Sequence, residues 1–247
     1  MDQACAKLGL GTFQISGSAA VVHAVKSGYR LIDCAAAYFN QDQVGVAFAQ
    51  LFEERIVERD DLFVVSKLPN THHVWTTGSD EVRVERSIRK TLTELKLDSL
   101  DLFLMHWPFA FEDEEQDYSA VRLPDGRPDP AVRKRMEYKA TWAAMEDLVD
   151  AGLTKHVGVS NFTIEQLEDL KSVARIKPYA NQVEVHPYHT NDELRAYCAR
   201  EGIKVMAYSP LGSSKQVRAC KLLGKDLRNT AMFGVISNAM NNFFGSL

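Results

Sequence analysis

The sequence predicts an α/β fold: a (β/α)8 TIM barrel, abbreviated at its C-terminal end. Short apolar runs alternate with amphipathic segments along most of the 247 residues. Continuous apolar strands between amphipathic helices mark a parallel sheet covered by helices. Polar residues close several of the runs. Asp33, Lys67 and His106 end three of them, and Tyr38 follows the first by a few residues. A β/α barrel builds its site in this way, from strand ends far apart in sequence. The length fits one such barrel as well as it fits two small domains. The alternation favours a single domain over 1–247, with residues 214–247 atypical.

The elements follow in order. LGLGTF (8–13) reads as a first strand and residues 16–28 as a helix stopped by Gly28. YRLIDCA (29–35) is strand-like. Residues 41–55 carry Val44, Phe48 and Leu51 at helical spacing, and LFVVSKL (62–68) is the next strand. A charged helix over 79–97 turns Val84, Ile88, Leu92 and Leu95 inward. LDLFLMHW (100–107) is apolar until its end. Residues 108–137, with EDEE and DGRPDP, read as a long loop containing at most a short helix. Loops of that length in a compact domain are usually functional. A helix over 138–151 (Trp142, Met145 and Leu148 inward) and the strand 155–160 come next. Thr163 and Gln166 then form a capping box on a helix running to about 174. Strands at 181–186 and 203–211 flank a helix at 191–200. Beyond Gly212 the pattern weakens: a short helix at 217–227 and an eighth strand at 232–237 are the remaining candidates.

Composition excludes several classes. Twenty-nine basic against 33 acidic residues give a net charge of -4, which is no footprint for nucleic acid. No apolar run approaches membrane-spanning length, and the N-terminus reads as no leader. Four scattered cysteines without a CxxC pattern predict free, structural thiols and a cytoplasmic location. The His72–His73 pair falls in a polar loop, and His186 and His189 straddle Pro187-Tyr188. Neither pair has a third ligand at a known spacing, so no metal is expected. There is no GxSxG motif to support serine hydrolysis.

Four side chains make one complete chemical set. Tyr38 can donate a proton, Lys67 can ease its release, Asp33 can keep Lys67 charged, and His106 can orient a carbonyl. Each has an ordinary structural explanation when taken alone. Their joint occurrence at successive strand ends argues for chemistry. None of the four carries electrons, so carbonyl reduction would need a dinucleotide. Gly9-Leu10-Gly11 is too short for a Rossmann fingerprint. Residues 208–213, after the seventh strand, are the better phosphate candidate. The amides and hydroxyl of Ser160, Asn161 and Gln182 could grip a carboxamide, and Tyr208 could stack on a flat ring.

The motifs GLGTFQ (9–14), LIDCAAAYFN (31–40), VVSKL (64–68), LFLMHWP (102–108), NQVEVHPY (181–188) and AYSPLGS (207–213) carry a resemblance. So does TWAAMEDLVDAGLTKHVGVSNF (141–162). In this order they resemble the aldo-keto reductase superfamily. The resemblance implies a (β/α)8 barrel that binds NADPH/NADP+ without a Rossmann domain. It implies Asp33, Tyr38, Lys67 and His106 as catalytic residues, with Tyr38 the general acid. Ser160, Asn161 and Gln182 match nicotinamide contacts, Tyr208 the stacking residue, and Ser209, Leu211 and Ser213 pyrophosphate contacts. Gly11, Thr12 and Asp33 are implied to border the same cofactor. Trp107 and Phe109, with Tyr38 and His106, are implied to line the substrate pocket.

The implied function is reduction of a small aldehyde or ketone by a monomer that binds neither nucleic acid nor membrane. Three departures support a competing expectation. There is little room for an N-terminal hairpin. The lysine-bearing strand that grips the adenosine phosphate is replaced by VISN (235–238), and the C-terminal substrate loop is missing. The competitor is a barrel that keeps its reaction centre but binds cofactor weakly. Separately, an altered C-terminus would expose a barrel seam that invites self-association.

Overall fold

The computed structural model describes residues 8–74, 81–111, 133–134 and 138–211. Its first half contains β1 (Gly9–Gly11), α1 (Ala19–Lys26), β2 (Leu31–Asp33), α2 (Gln41–Glu53), β3 (Phe63–Leu68), α3 (Glu81–Leu95) and β4 (Leu100–Met105). A two-stranded antiparallel ribbon follows, β5 (Ala110–Phe111) with β6 (Arg133–Lys134). The second half contains α4 (Tyr138–Asp150), β7 (Thr154–Ser160), α5 (Ile164–Lys171), β8 (Ala180–Glu184), α6 (Asp192–Glu201) and β9 (Lys204–Tyr208). Three single-turn 3-10 helices, at Ala36–Tyr38, Arg59–Asp61 and Asn70–His72, complete the described elements.

Seven strands form one sheet in the order β1-β2-β3-β4-β7-β8-β9, with every pairing parallel. Apart from the ribbon, this is chain order, the order in which successive β/α units build a barrel. The sheet curls. Between β2 and β8 lie four strand spacings, about 19 Å in a flat sheet. Yet Gln182 Nε2 on β8 donates to Asp33 Oδ1 on β2 at 2.8 Å. Only a nearly closed barrel brings those strand ends together.

Side chains alternate along each strand with a period of two, and the alternation sorts the core into two layers. Leu31, Phe63, Val65, Leu102, Leu104 and Ala180 meet in one buried cluster, the barrel interior. Their sequence neighbours Ile32, Val64, Phe103 and Met105, with Val157 and Val159, join a larger cluster beneath the helices. The helices supply Val44, Phe48 and Leu51 from α2, Val84, Ile88, Leu92 and Leu95 from α3, and Trp142, Met145 and Leu148 from α4 to that layer. These are the positions their spacing predicted.

At the N-terminal end of the strands Asp101 is buried. It accepts from Arg59 Nη2 at 2.8 Å, Lys155 Nζ at 2.9 Å and the Val64 amide at 2.8 Å. Polar groups at that end of a barrel serve stability.

Two expectations are refined. Part of the long loop is paired, since β5 and β6 bracket residues 112–132. The His72–His73 pair does not lie in a solvated loop: both side chains are buried. The candidate elements at 217–227 and 232–237 lie outside the described residues, as does Ser213. Among the described residues, no helix is long and apolar enough to cross a membrane, and no group of three or more metal-ligating side chains forms.

Candidate active site

The period of two that fills the barrel also builds the site. Inward-facing Leu31 is followed two residues on by Asp33, Val65 by Lys67, and Leu104 by His106. Val157 and Val159 face the helices, so Ser160 points inward. Ala180 is followed in the same way by Gln182, and Met206 by Tyr208. The apolar layers therefore end in a polar one, at the C-terminal mouth where barrel strands carry chemistry.

Tyr38 arrives differently. It ends the single 3-10 turn Ala36–Tyr38, and Phe39 beyond it takes a left-handed backbone (φ 55). That conformation is unfavourable for a bulky residue, and it turns the chain back at this point.

Lys67 organises the cluster. Its Nζ donates to Asp33 Oδ1 and Oδ2, each at 2.8 Å, to the Cys34 carbonyl at 2.9 Å and to Tyr38 Oη at 3.0 Å. Burial works against its charge, but Asp33 and Tyr38 reverse the outcome and hold the ammonium above the ordinary lysine range. Burial also raises the Tyr38 phenol, and Lys67 offsets only part of that rise. The net direction differs from that of a phenol simply acidified by a cation, because desolvation outweighs the neighbouring charge. Tyr38 Oη accepts from Lys67, so its own O–H remains available to a further acceptor.

His106 meets the Tyr38 ring edge-on, with centroids 6.0 Å apart. Burial, then the Lys67 charge, then His73, lower its pKa to about 3, so the imidazole is neutral. Cys34 is buried as expected. Its thiol is pushed up to about 12 by burial and by Asp33, so it carries no nucleophilic thiolate.

The remaining expected residues divide into several groups. Asn161 Nδ2 donates to the His106 carbonyl and to Ser160 Oγ, each at 3.1 Å, and Tyr208 Oη donates to Asn161 Oδ1 at 2.9 Å. Ser160 Oγ donates to the Gln182 carbonyl at 2.8 Å. These residues therefore stand together with the four central side chains. Thr12 is buried and braces Asp33: its amide and hydroxyl both donate to the Asp33 carbonyl, at 2.9 and 3.0 Å. Gly11 ends β1 with open space where a Cβ would stand. Trp107 and Phe109 lie side by side at the rim, ring centroids 5.6 Å apart. Leu211 is exposed at the end of the described chain.

Three neighbours were not anticipated from the sequence. Phe13 is 61% exposed and packs its ring 5.1 Å from that of Tyr38. Asn40 is buried, and its Nδ2 donates to the Thr12 and Ile15 carbonyls at 2.8 and 2.9 Å. His73 is buried beside the His106 segment. Phe13 and Asn40 each lie within one of the motifs quoted above, and that position was their available signal.

The site fits a nicotinamide head group. A hydroxyl, two amides and an aromatic ring are hydrogen-bonded to one another, to Asp33 and to the His106 carbonyl. Asn161 (φ 64) and Ser209 (φ 49), at the ends of β7 and β9, both adopt left-handed backbone. Such strain clusters where a chain is shaped for a ligand. His106 Nδ1 is buried without a protein partner, an expensive state in a purely structural cluster.

The fold and this mouth define a nearly closed parallel β/α barrel whose strand ends carry a buried cluster of aspartate, lysine, tyrosine and histidine. The model of the aldo/keto reductase family matches residues 7–222, and the chain belongs to that family. It is 46% identical over 211 residues to an aldo-keto reductase family 1 member A1 of Gallus gallus, covering 83% of this chain and 61% of that protein. It is 43% identical over 227 residues to an aldose reductase B of Dictyostelium discoideum, covering 89% and 68%. Among solved structures, an aldose reductase from Giardia lamblia superposes with a TM-score of 0.75 at 36% identity, covering 89% of this chain and 74% of that one. The chain thus spans about three fifths of the length of the Gallus relative.

Proposed function

We propose that the protein reduces the carbonyl of a small aldehyde or ketone with NADPH, and that Tyr38 is the general acid. One observation carries this reading: Lys67 donates to Tyr38 Oη at 3.0 Å while held by both oxygens of Asp33, beside a neutral His106. The nicotinamide, when bound, supplies a hydride to the carbonyl carbon. Ser160, Asn161 and Gln182 hold its carboxamide, and Tyr208 lies against its ring. Gly11, Thr12, Ser209 and Leu211 border the rest of the nucleotide.

At the carbonyl oxygen the Tyr38 O–H gives its proton, and the C=O bond becomes C–O–H. Lys67 stabilises the phenolate left behind, and solvent returns the proton. His106 donates its single N–H to the same oxygen and fixes the angle of approach. Phe13, Trp107 and Phe109 give the mouth an apolar wall suited to aromatic or aliphatic carbonyl compounds.

Tyr38→Phe keeps the ring and removes the proton. It is expected to cut NADPH consumption with an aromatic aldehyde by about a hundredfold or more, with nucleotide binding retained. Unchanged turnover would reject Tyr38 as the acid.

A second reading has an observation of its own. Asn161 Oδ1 already accepts from Tyr208, and Gln182 Nε2 already donates to Asp33, so each atom has half of its bonding capacity left for a nicotinamide. On that reading the barrel keeps its reaction centre and binds nucleotide weakly. Titration of NADPH fluorescence separates the two. Saturation in the micromolar range supports the reductase, and failure to saturate supports the weak binder.

A further inference from the structure

We propose that His73 is a positioning residue that fixes the tautomer of His106 through one bridging water. The inference deepens the reading of His106 as the group that orients the carbonyl, and rests on that reading for its functional consequence.

Two buried nitrogens lack a protein partner on this side of the mouth: His106 Nδ1 and His73 Nε2. The segments that carry them run side by side. The His106 amide donates to the Leu68 carbonyl at 3.2 Å, and Asn70 Nδ2 donates to the Phe109 carbonyl at 2.7 Å. The turn 69–73 is thereby clamped along residues 106–109. Beyond it, the Val74 amide donates to Thr141 Oγ1 at 3.0 Å, which holds the far end of the turn.

His73 also weighs against a charge on His106, and His72 against one on His73. Both rings are neutral, each lowered to about 3, with burial the largest cause. A neutral imidazole has one N–H and one acceptor nitrogen. Lys67, the charged group acting on His106, can only donate and cannot serve as an acceptor for an N–H. Thr71 Oγ1 and His72 Nδ1 are paired with each other at 3.0 Å.

A water between the two orphan nitrogens satisfies both at once. His73 Nε2–H donates to the water, and the water donates to His106 Nδ1. Such a bridge can run in either direction; run this way it locks His106 as the Nε2–H tautomer, with its only proton free for a carbonyl oxygen, as its orienting role requires. Run the other way it would hold the His106 proton at Nδ1 and leave the carbonyl without a donor.

The test is nitrogen-15 NMR of the full chain with labelled histidine, near neutral pH. The His106 signals are identified by their loss in His106→Asn. The expected spectrum has a single His106 tautomer, with a protonated Nε2 and an acceptor-type, hydrogen-bonded Nδ1. His73→Leu is expected to produce a mixture of tautomers, and His73→Gln, which keeps a donor, to restore one. In turnover with saturating aldehyde, His73→Leu should lower kcat on the order of tenfold, with recovery in His73→Gln.

A wild-type Nδ1–H tautomer overturns the proposal even if His73→Leu fails to fold. An unchanged His106 tautomer in a natively melting His73→Leu overturns it too. The spectra need no turnover, so failure of the tautomer lock is distinguishable from failure of the reductase reading.

Discussion

The Lys67 side chain is almost wholly buried, and its ammonium lies among four oxygens of Asp33, Cys34 and Tyr38. Removing one member of a buried pair leaves the other charge uncompensated, at a cost of about 3 kcal/mol or more. Lys67→Met is therefore expected to lose about that much stability in urea unfolding, beyond its effect on any activity. Adding Asp33→Leu should regain part of the loss, because no orphan carboxylate remains. If the two losses simply add, the pair is not the coupled unit described here. The buried imidazoles set a pH dependence of opposite sign to that of the lysine. His73 and His106 are lowered to about 3 from an ordinary 6.5. The unfolded chain therefore binds more protons between those limits, and stability falls as pH drops through that window. One such group can add a slope of at most about 1.4 kcal/mol per pH unit. Urea midpoints measured from neutral pH downward should fall, and His73→Gln should flatten the fall. Lys67 is raised, so its contribution is complete below the unfolded lysine value and is lost only in the alkaline range.

Helix and strand identities were legible because they rest on local periodicity. Every inward position named for α2, α3 and α4 is buried, and Thr163 and Gln166 cap α5 reciprocally. Thr163→Ala should cost about 1 kcal/mol. The close approach of one element to another was not legible, since it depends on tertiary geometry. At Gly45 on α2 a Cβ would come 2.1 Å from the Glu94 carbonyl oxygen on α3. At Gly158 on β7 it would come 2.7 Å from the Ala180 carbonyl oxygen and 2.8 Å from Leu104 Cδ2 inside the barrel. Helix propensity alone would make Gly45→Ala stabilising by about 0.8–1 kcal/mol. Overpacking against backbone costs about 1–3 kcal/mol, so the clash should win. Both Gly45→Ala and Gly158→Ala are expected to lower the urea midpoint; a stabilised Gly45→Ala would show that α2 and α3 can separate at little cost. The site was legible for the same local reason as the helices. Asp33, Lys67 and His106 continue an inward alternation that can be counted in the sequence. His73 was misplaced because a pair of histidines reads as polar, and only the Asn70–Phe109 clamp reveals that the turn is tucked in.

At the scale of the molecule, the seven strands are not equally enclosed. Strands β3 and β4 are buried at every position, whereas β1 is largely exposed and β9 runs from an exposed Lys204 into half-buried residues. Among the described residues, β1 pairs only with β2, and β9 only with β8. Among the described residues, each therefore has one edge of backbone donors and acceptors with no strand beside it. The mouth depends on that curvature, because Tyr208 on β9 reaches Asn161 and Gln182 on β8 reaches Asp33 only while the sheet stays curled. Local opening should begin at these edges, where the fewest apolar contacts must be broken. Hydrogen exchange is expected to grade protection across the sheet, greatest in β3 and β4 and least in β1 and β9. NADPH, if it binds across the ends of β7, β8 and β9, should slow exchange in β9 more than in β3, because it ties the loose edge to the enclosed strands. Protection of β9 equal to that of β4 without nucleotide would mean that the outer edge is already paired, by another part of the chain or by a second copy. Equilibrium sedimentation would separate those two sources: a monomer points to the chain itself, and a dimer to edge-to-edge association.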